Sequence, residues 1–362
     1  MLPLYMFMTG YSVLDIGIVF TVVNILSIPV VYLIGRVFDQ IAIRHGLVLI
    51  DGLDGVAYIL YGLSYGPLAP LMLALGILFE KISGWFYHLY PAAEKLLYPR
   101  ERIEEIYAWH MRLPEISQLV GFLLLGYLFG YIYNTPESFR TAFLLFGLSS
   151  VFTMAYLWLF LPRLDKKERV EPEPFVFRID REFKIILVIE ALLTIGWSLA
   201  PEFVILNYIV NVLGLTLFEV MLIEAAISLG AIAATYVSER IERKHMFKAM
   251  GLGYTLLIIW AAIMYIGPSL PLAILAYFIG RFGETLSFPF HRSWILRKIP
   301  RDKVASILAA ISSYRRIIVL TTPFIAGLLA TIQPTLPYLV SLATFTMVSI
   351  IFLGLSIHHK PG

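Results

Sequence analysis

Cysteine is absent from the chain, which excludes disulfides, thiolate metal centres and thiol redox chemistry. Amides are scarce, with four Asn and three Gln. That shortage of thermolabile side chains leans toward a thermophilic source, although apolar segments depress amide content in any case. Charge is thin as well: Asp, Glu, Lys and Arg make up 15% of 362 residues, against about 25% in an ordinary soluble domain. There is no phosphate-binding glycine loop to drive primary transport, and the seven histidines form no HExxH or comparable metal spacing. No basic start or small-residue cleavage site marks a signal peptide. The net charge of +3 gives no reason to expect a nucleic-acid partner, and no cofactor is expected.

What the chain does have is apolar residues, 59% of the total, with a mean hydropathy of +0.81. A bilayer core about 30 Å thick needs roughly 20 such residues as helix. The alternating ten-residue pattern of an outer-membrane barrel is missing, so the expected class is an all-α polytopic membrane protein. Apolar runs between charged or Pro/Gly breaks predict spans over 13–35, 46–66, 68–91, 104–133, 138–161, 183–210, 216–238, 246–267, 269–297, 303–331 and 334–357. Of the 28 Lys and Arg, 21 fall in alternate connections and the tail, while the opposite connections hold only Arg140. Cytoplasmic loops carry the positive excess, which predicts a cytoplasmic carboxyl terminus.

An internal repeat orders these spans. "LIGRVFDQIAIRHG" is echoed by "ATYVSERIERKHMF", with Gly35 and Asp39 matching Thr235 and Glu239 at an offset of 200, and "YPRERIEEIYA" from Tyr98 by "IPRDKVASILA" from Ile299 at an offset of 201. "GYSVLDIG" from Gly10 matches "GLTLFEVM" from Gly214 at 204. At that offset the span 183–210 maps onto positions −21 to 6. The expectation is therefore eleven complete helices plus the outer end of a first one, from a start assigned too late or a shortened chain. The organisation expected is an N-terminal half over 1–162, a cytoplasmic linker over 163–182 and a C-terminal half over 183–362. Six crossings per half keep the halves parallel, which is a transporter plan.

The stretch Gly35 to Arg44 resembles the cytoplasmic signature of the major facilitator superfamily of secondary transporters. Gly35, three residues, Asp39 and the later Arg44 match, while Gln40, Ala42 and Ile43 depart from the pattern. In the second half Glu239 and Arg240 keep the acid–base pair, Thr235 replaces the glycine, and Arg243 and Lys244 follow. The resemblance covers the chain apart from the first helix. It implies a two-half fold that moves a small solute by alternating access, proton-coupled or facilitative, as a monomer in a lipid membrane, here expected to be a prokaryotic plasma membrane. It also implies a cytoplasmic latch of Gly35, Asp39, Arg44, Glu239, Arg240 and Arg243. The basic members serve equally as positive-inside anchors; for the acids the latch fits better, because acids contribute little to orientation.

An ionisable group at mid-bilayer costs roughly 2.5–3.5 kcal/mol, so those retained line cavities or pair. The substrate and coupling candidates are Glu80, Lys81, Arg112, Glu115, Glu190, Arg281, Glu284 and Arg316. At the repeat offset Glu80 corresponds to Arg281 and Glu115 to Arg316. The helix positions implied by the resemblance let Glu80 and Arg281 pair across a cavity, with Glu284 as a protonatable neighbour; static structural bridges are the alternative. Arg315 and Arg316 diverge by about 100°, so one binds and the other snorkels. Glu190, Thr194, Trp197 and Pro201 share a helix face, and Pro201 should loosen it. His88 and His291 stand alone in sequence and read as packed or cavity-polar, while Asp51 and Asp54 read as headgroup-exposed. Gly121, Gly126 and Gly130 only hint at an antiporter motif, since no Gly-Pro follows. A non-transporting receptor and, further off, an intramembrane enzyme are the competing classes.

Overall fold

The computed structural model describes residues 1–40, 42–87, 103–162, 181–242, 245–298 and 304–358. Among them every regular element is helical. The elements are α1 (Leu2–Met8), α2 (Val13–Gln40), α3 (Ile43–Gly62), a short 3-10 turn (Gly66–Leu68) leading into α4 (Ala69–Phe86), α5 (Ile103–Tyr127), α6 (Pro136–Phe160) and α7 (Arg181–Ser198). After them come α8 (Glu202–Leu206), α9 (Leu217–Ser238), α10 (Met246–Tyr265), α11 (Leu270–Lys298), α12 (Val304–Val319), α13 (Thr322–Ile332) and α14 (Leu336–His358). Wider π turns finish α5 at Leu128–Ile132 and α8 at Asn207–Val212.

The local chemistry explains the boundaries. Thr216 and Glu219 form a reciprocal capping box that starts α9. Thr135 accepts from the Ser138 N–H ahead of Pro136 at the first turn of α6. Pro201 lacks the N–H that would continue α7, so the helix stops at Ser198 and restarts at Glu202. The expected break at Gly35 does not occur. Gly35 keeps a negative φ, α2 continues through Gln40, and two residues separate it from α3. Gly35 and Asp39 thus occupy the last turns of a helix rather than a loop, and their side chains lie outside the described ones.

Seven segments of the described residues are long and apolar enough to cross a membrane, and Ile116–Ile132 and Leu336–Phe352 are shorter apolar helices. Burial is inverted relative to a soluble protein: on α6, Phe152 is 77% exposed and Leu159 73%. Such a surface has a solvent in lipid and not in water.

The chain divides into two compact units. One comprises Met1–Gly10, Ile18–Pro114 and Ile132–Glu173, the other Tyr11–Gly17, Glu115–Tyr131 and Pro174–Gly362. In the first, α3 packs on α4 and α6, and Leu47, Ile50, Ile82 and Phe86 form a buried cluster. In the second, α10 packs on α11 and α14, with Trp260 buried among Trp197, Tyr277, Tyr338 and Phe345. The pairs α3/α4 and α3/α6 are those that the 201-residue offset relates to α10/α11 and α10/α14, so each stretch of the repeat makes the same helix partnerships.

Candidate functional site

The most developed polar cluster lies in the second unit, on α7, α10, α11 and α12. Glu190 and Thr194 are one helical turn apart on α7 and so share a face. Both are buried. The Thr194 hydroxyl donates to the Glu190 carbonyl at 2.6 Å, leaving its oxygen free to accept. Across from them, α11 brings His291 against Glu190 with Nε2 and Oε1 2.9 Å apart. On the other side of the ring, Nδ1 lies 2.6 Å from the Tyr254 hydroxyl.

Two glycines make that second contact possible. A Cβ at Gly283 would lie 2.6 Å from the carbonyl oxygen of Gly253, and one at Gly253 would lie 2.6 Å from the Ser287 Cβ. Without those Cβ atoms α10 and α11 cross at close approach. His291 is two turns beyond Gly283 on the same face, and Tyr254 follows Gly253 directly. Behind the ring, Phe352 of α14 stacks on Tyr254 at 5.2 Å and meets His291 edge-on. Pro289, inside α11, removes one backbone hydrogen bond just before His291.

Arg315 of α12 closes the open side of the cluster. Its Nε donates to Thr194 Oγ1 at 3.1 Å, and Nη1 lies 3.7 Å from Glu190 Oε2. The side chains of Glu190 and His291 are 8% and 10% exposed, whereas that of Arg315 is 54% exposed. A carboxylate so buried is tolerable because a cation and a ring N–H compensate it. Both histidine nitrogens have partners in either protonation state. As neutral imidazole the ring takes the tyrosine proton on Nδ1 and donates from Nε2; as imidazolium it donates from both. The arrangement can therefore hold or release a proton while both ring nitrogens stay paired.

The other candidates are placed as follows. Arg281 and Glu284 pair one turn apart on α11 at 2.5 Å, both part-exposed. Glu80 on α4 accepts from the Tyr61 hydroxyl of α3 at 2.6 Å. The Lys81 ammonium sits 5.9 Å from the Phe20 ring centroid. Arg44 donates to the Leu161 carbonyl at 3.3 Å and lies over the Trp158 ring at 4.9 Å, tying α3 to the end of α6. Glu239 and Arg240 are exposed at the end of α9. The side chains of Arg112 and Glu115 lie outside the described ones, as do residues Arg243, Lys244 and His88. Arg316 is exposed, and the arginine that reaches Glu190 is its neighbour Arg315.

One sequence expectation needs correction. His291 is not alone, because the crossing of α10 and α11 supplies a tyrosine and α7 supplies a carboxylate. Asp54 is part-buried and accepts from Tyr87 at 3.1 Å in an exposed contact. One sequence signal foreshadowed the histidine: Gly283, Ser287 and His291 repeat at four residues, a small-to-polar stripe on one helix face.

The chain matches the family model of the Major Facilitator Superfamily over residues 1–323. It belongs to that superfamily. No curated protein matches it. Among solved structures, a bacterial homologue of the iron transporter ferroportin in the inward-facing state is similar at TM-score 0.77 and 15% identity, over 98% of this chain and 92% of that one. A POT family transporter in complex with 5-aminolevulinic acid gives 0.67 and 14%, over 99% and 91%. A D-xylose–proton symporter gives 0.63 and 13%, over 95% and 89%. At these identities the structures share the fold. Membership of the superfamily makes the protein a multi-pass membrane transporter of the secondary type and not an enzyme.

Proposed function

We propose that this superfamily member moves a small solute by alternating access, coupled to protons through Glu190 and His291. The observation that carries the reading is the buried Glu190–His291 pair. An ionisable pair held at membrane depth, with partners for both protonation states, is costly unless it is used. The titratable and charged groups facing it are Tyr254 on α10, Arg315 on α12 and Arg292 next to His291 on α11. The proposed arrangement is eleven spans and the end of a first, in halves over 1–162 and 183–362 joined by 163–182, in a prokaryotic plasma membrane with the carboxyl terminus inside. Glu80 and Arg281, together with Glu284, are proposed to respond to the rocking of the halves, and Arg112, Glu115, Arg316 and Lys81 to line the path. The latch residues Gly35, Asp39, Arg44, Glu239, Arg240 and Arg243 are proposed to favour one of the two access states.

The test is solute uptake into proteoliposomes with and without an imposed pH gradient, using several solute classes. Uptake that the gradient accelerates, and that Glu190→Gln uncouples from it, supports the reading. Solute binding with no flux, in folded and inserted protein, would make the protein a receptor on a transporter scaffold.

A further inference from the structure

Arg315 is the feature of the cluster that proton coupling leaves unexplained. It is a permanent cation on α12, four residues inside the apolar segment Ile311–Ile332. Its exposed half is better placed against water than against hydrocarbon. Among the described residues it makes one hydrogen bond, from Nε to Thr194. Nη1 is 3.7 Å from Glu190, close enough for attraction and too far for a hydrogen bond. The planar Nη1/Nη2 edge is thus held in position by Thr194 and still has donors to offer.

The surroundings favour an anion over a cation at that edge. Glu190 is the acid nearest to it, and its two oxygens already face His291 and Arg315. Arg292 is exposed and within electrostatic range of Glu190, so local positive charge exceeds negative. No group of three potential metal ligands exists among the described residues. Ser312, one turn before Arg315, is exposed and adds a hydroxyl to the same region of the helix.

We propose that Arg315, held by Thr194, is the docking group for a solute bearing a carboxylate or phosphate, which takes the guanidinium edge in a two-pronged hydrogen bond. This rests on the transporter reading and names its substrate class. Tyr254, His291 and Glu190 form the wall of the site, and Phe352 closes it from behind. The solute anion and Glu190 share one arginine, so the bound anion sits beside the proton-holding pair.

The test measures binding without transport, so that a failure of coupling and a failure of anion recognition stay separate. Purified protein in non-ionic detergent is followed by thermal unfolding against acetate, succinate, citrate and inorganic phosphate. The uncharged counterparts acetamide and succinamide, the dication putrescine, and phosphatidylglycerol as an anionic lipid complete the set. The expected result is a concentration-dependent rise in Tm with at least one small anion. Arg315→Gln should weaken that effect by roughly tenfold or more, and Arg315→Lys should retain part of it. Thr194→Val, which removes the acceptor for Nε without touching the charge, should weaken it less and guards against misfolding of the arginine variants. Equal stabilisation by the amides, by putrescine or by the lipid alone would overturn the proposal, as would no response to any small anion or an unchanged response in Arg315→Gln.

Discussion

The carboxylates on α3 and α4 and the carboxylate on α7 meet the same problem with different partners. Glu80 and Asp54 each accept from a tyrosine hydroxyl, a neutral donor that does not titrate near neutral pH. Glu190 instead faces a histidine backed by a tyrosine, and an arginine. A tyrosine partner satisfies the acid and leaves its charge state to the environment. A histidine partner offers a second place for the proton within a hydrogen bond's length. The first arrangement gives the carboxylate a donor and no second proton site; the second can act as a switch.

The sharpest way to break the comparison is to remove the acid from each region. Glu190→Ala leaves His291 and Arg315 around an uncompensated cavity and should cost about 3 kcal/mol, read as a large drop in thermal stability of the purified protein. Glu80→Gln keeps a group that can accept from Tyr61 and should cost about 1 kcal/mol or less. Equal losses would mean that the two sites are of one kind.

Next in size is the helix crossing that builds the second site. Gly283→Leu forces atoms into the Gly253 backbone and should cost about 2 kcal/mol. It should also move His291 from Tyr254, which the imidazole resonances would report as a change of tautomer. A smaller effect is expected from the tyrosines. Tyr254→Phe and Tyr61→Phe each delete one buried hydrogen bond, at about 1 kcal/mol. The first should change the pH at which proton-coupled uptake is half-maximal, whereas the second should not. The smallest is Arg44→Ala. It removes the contact with Trp158, worth about 0.5–1 kcal/mol, read as a small drop in thermal stability.

Much of this was legible before any coordinates. Hydropathy gave the all-helical membrane class because lipid demands long apolar runs, and the 201-residue offset relates the helices that pack in the same way in each stretch. The face shared by Glu190 and Thr194, the break at Pro201 and the Arg281–Glu284 pair follow from spacing along one helix. The missing parts all depend on contacts between helices. Tyr254 meets His291 because two glycines on different helices coincide, and nothing along either helix alone encodes that meeting. Arg315 and Arg316 are equivalent in sequence, and only the rotation of α12 against α7 chooses between them. The length of α2 was underestimated because glycine reads as a break, although a glycine with negative φ costs a helix only about 1 kcal/mol.

The central claim is that the Glu190–His291 pair couples proton movement to solute movement. It is tested most directly by comparing solute exchange at equilibrium with gradient-driven accumulation in proteoliposomes carrying His291→Gln. Glutamine keeps a donor toward Glu190 but cannot take a proton. The account predicts that exchange persists while accumulation driven by a pH gradient is lost. Accumulation at the level of the unaltered protein would contradict it and reduce the pair to a structural bond.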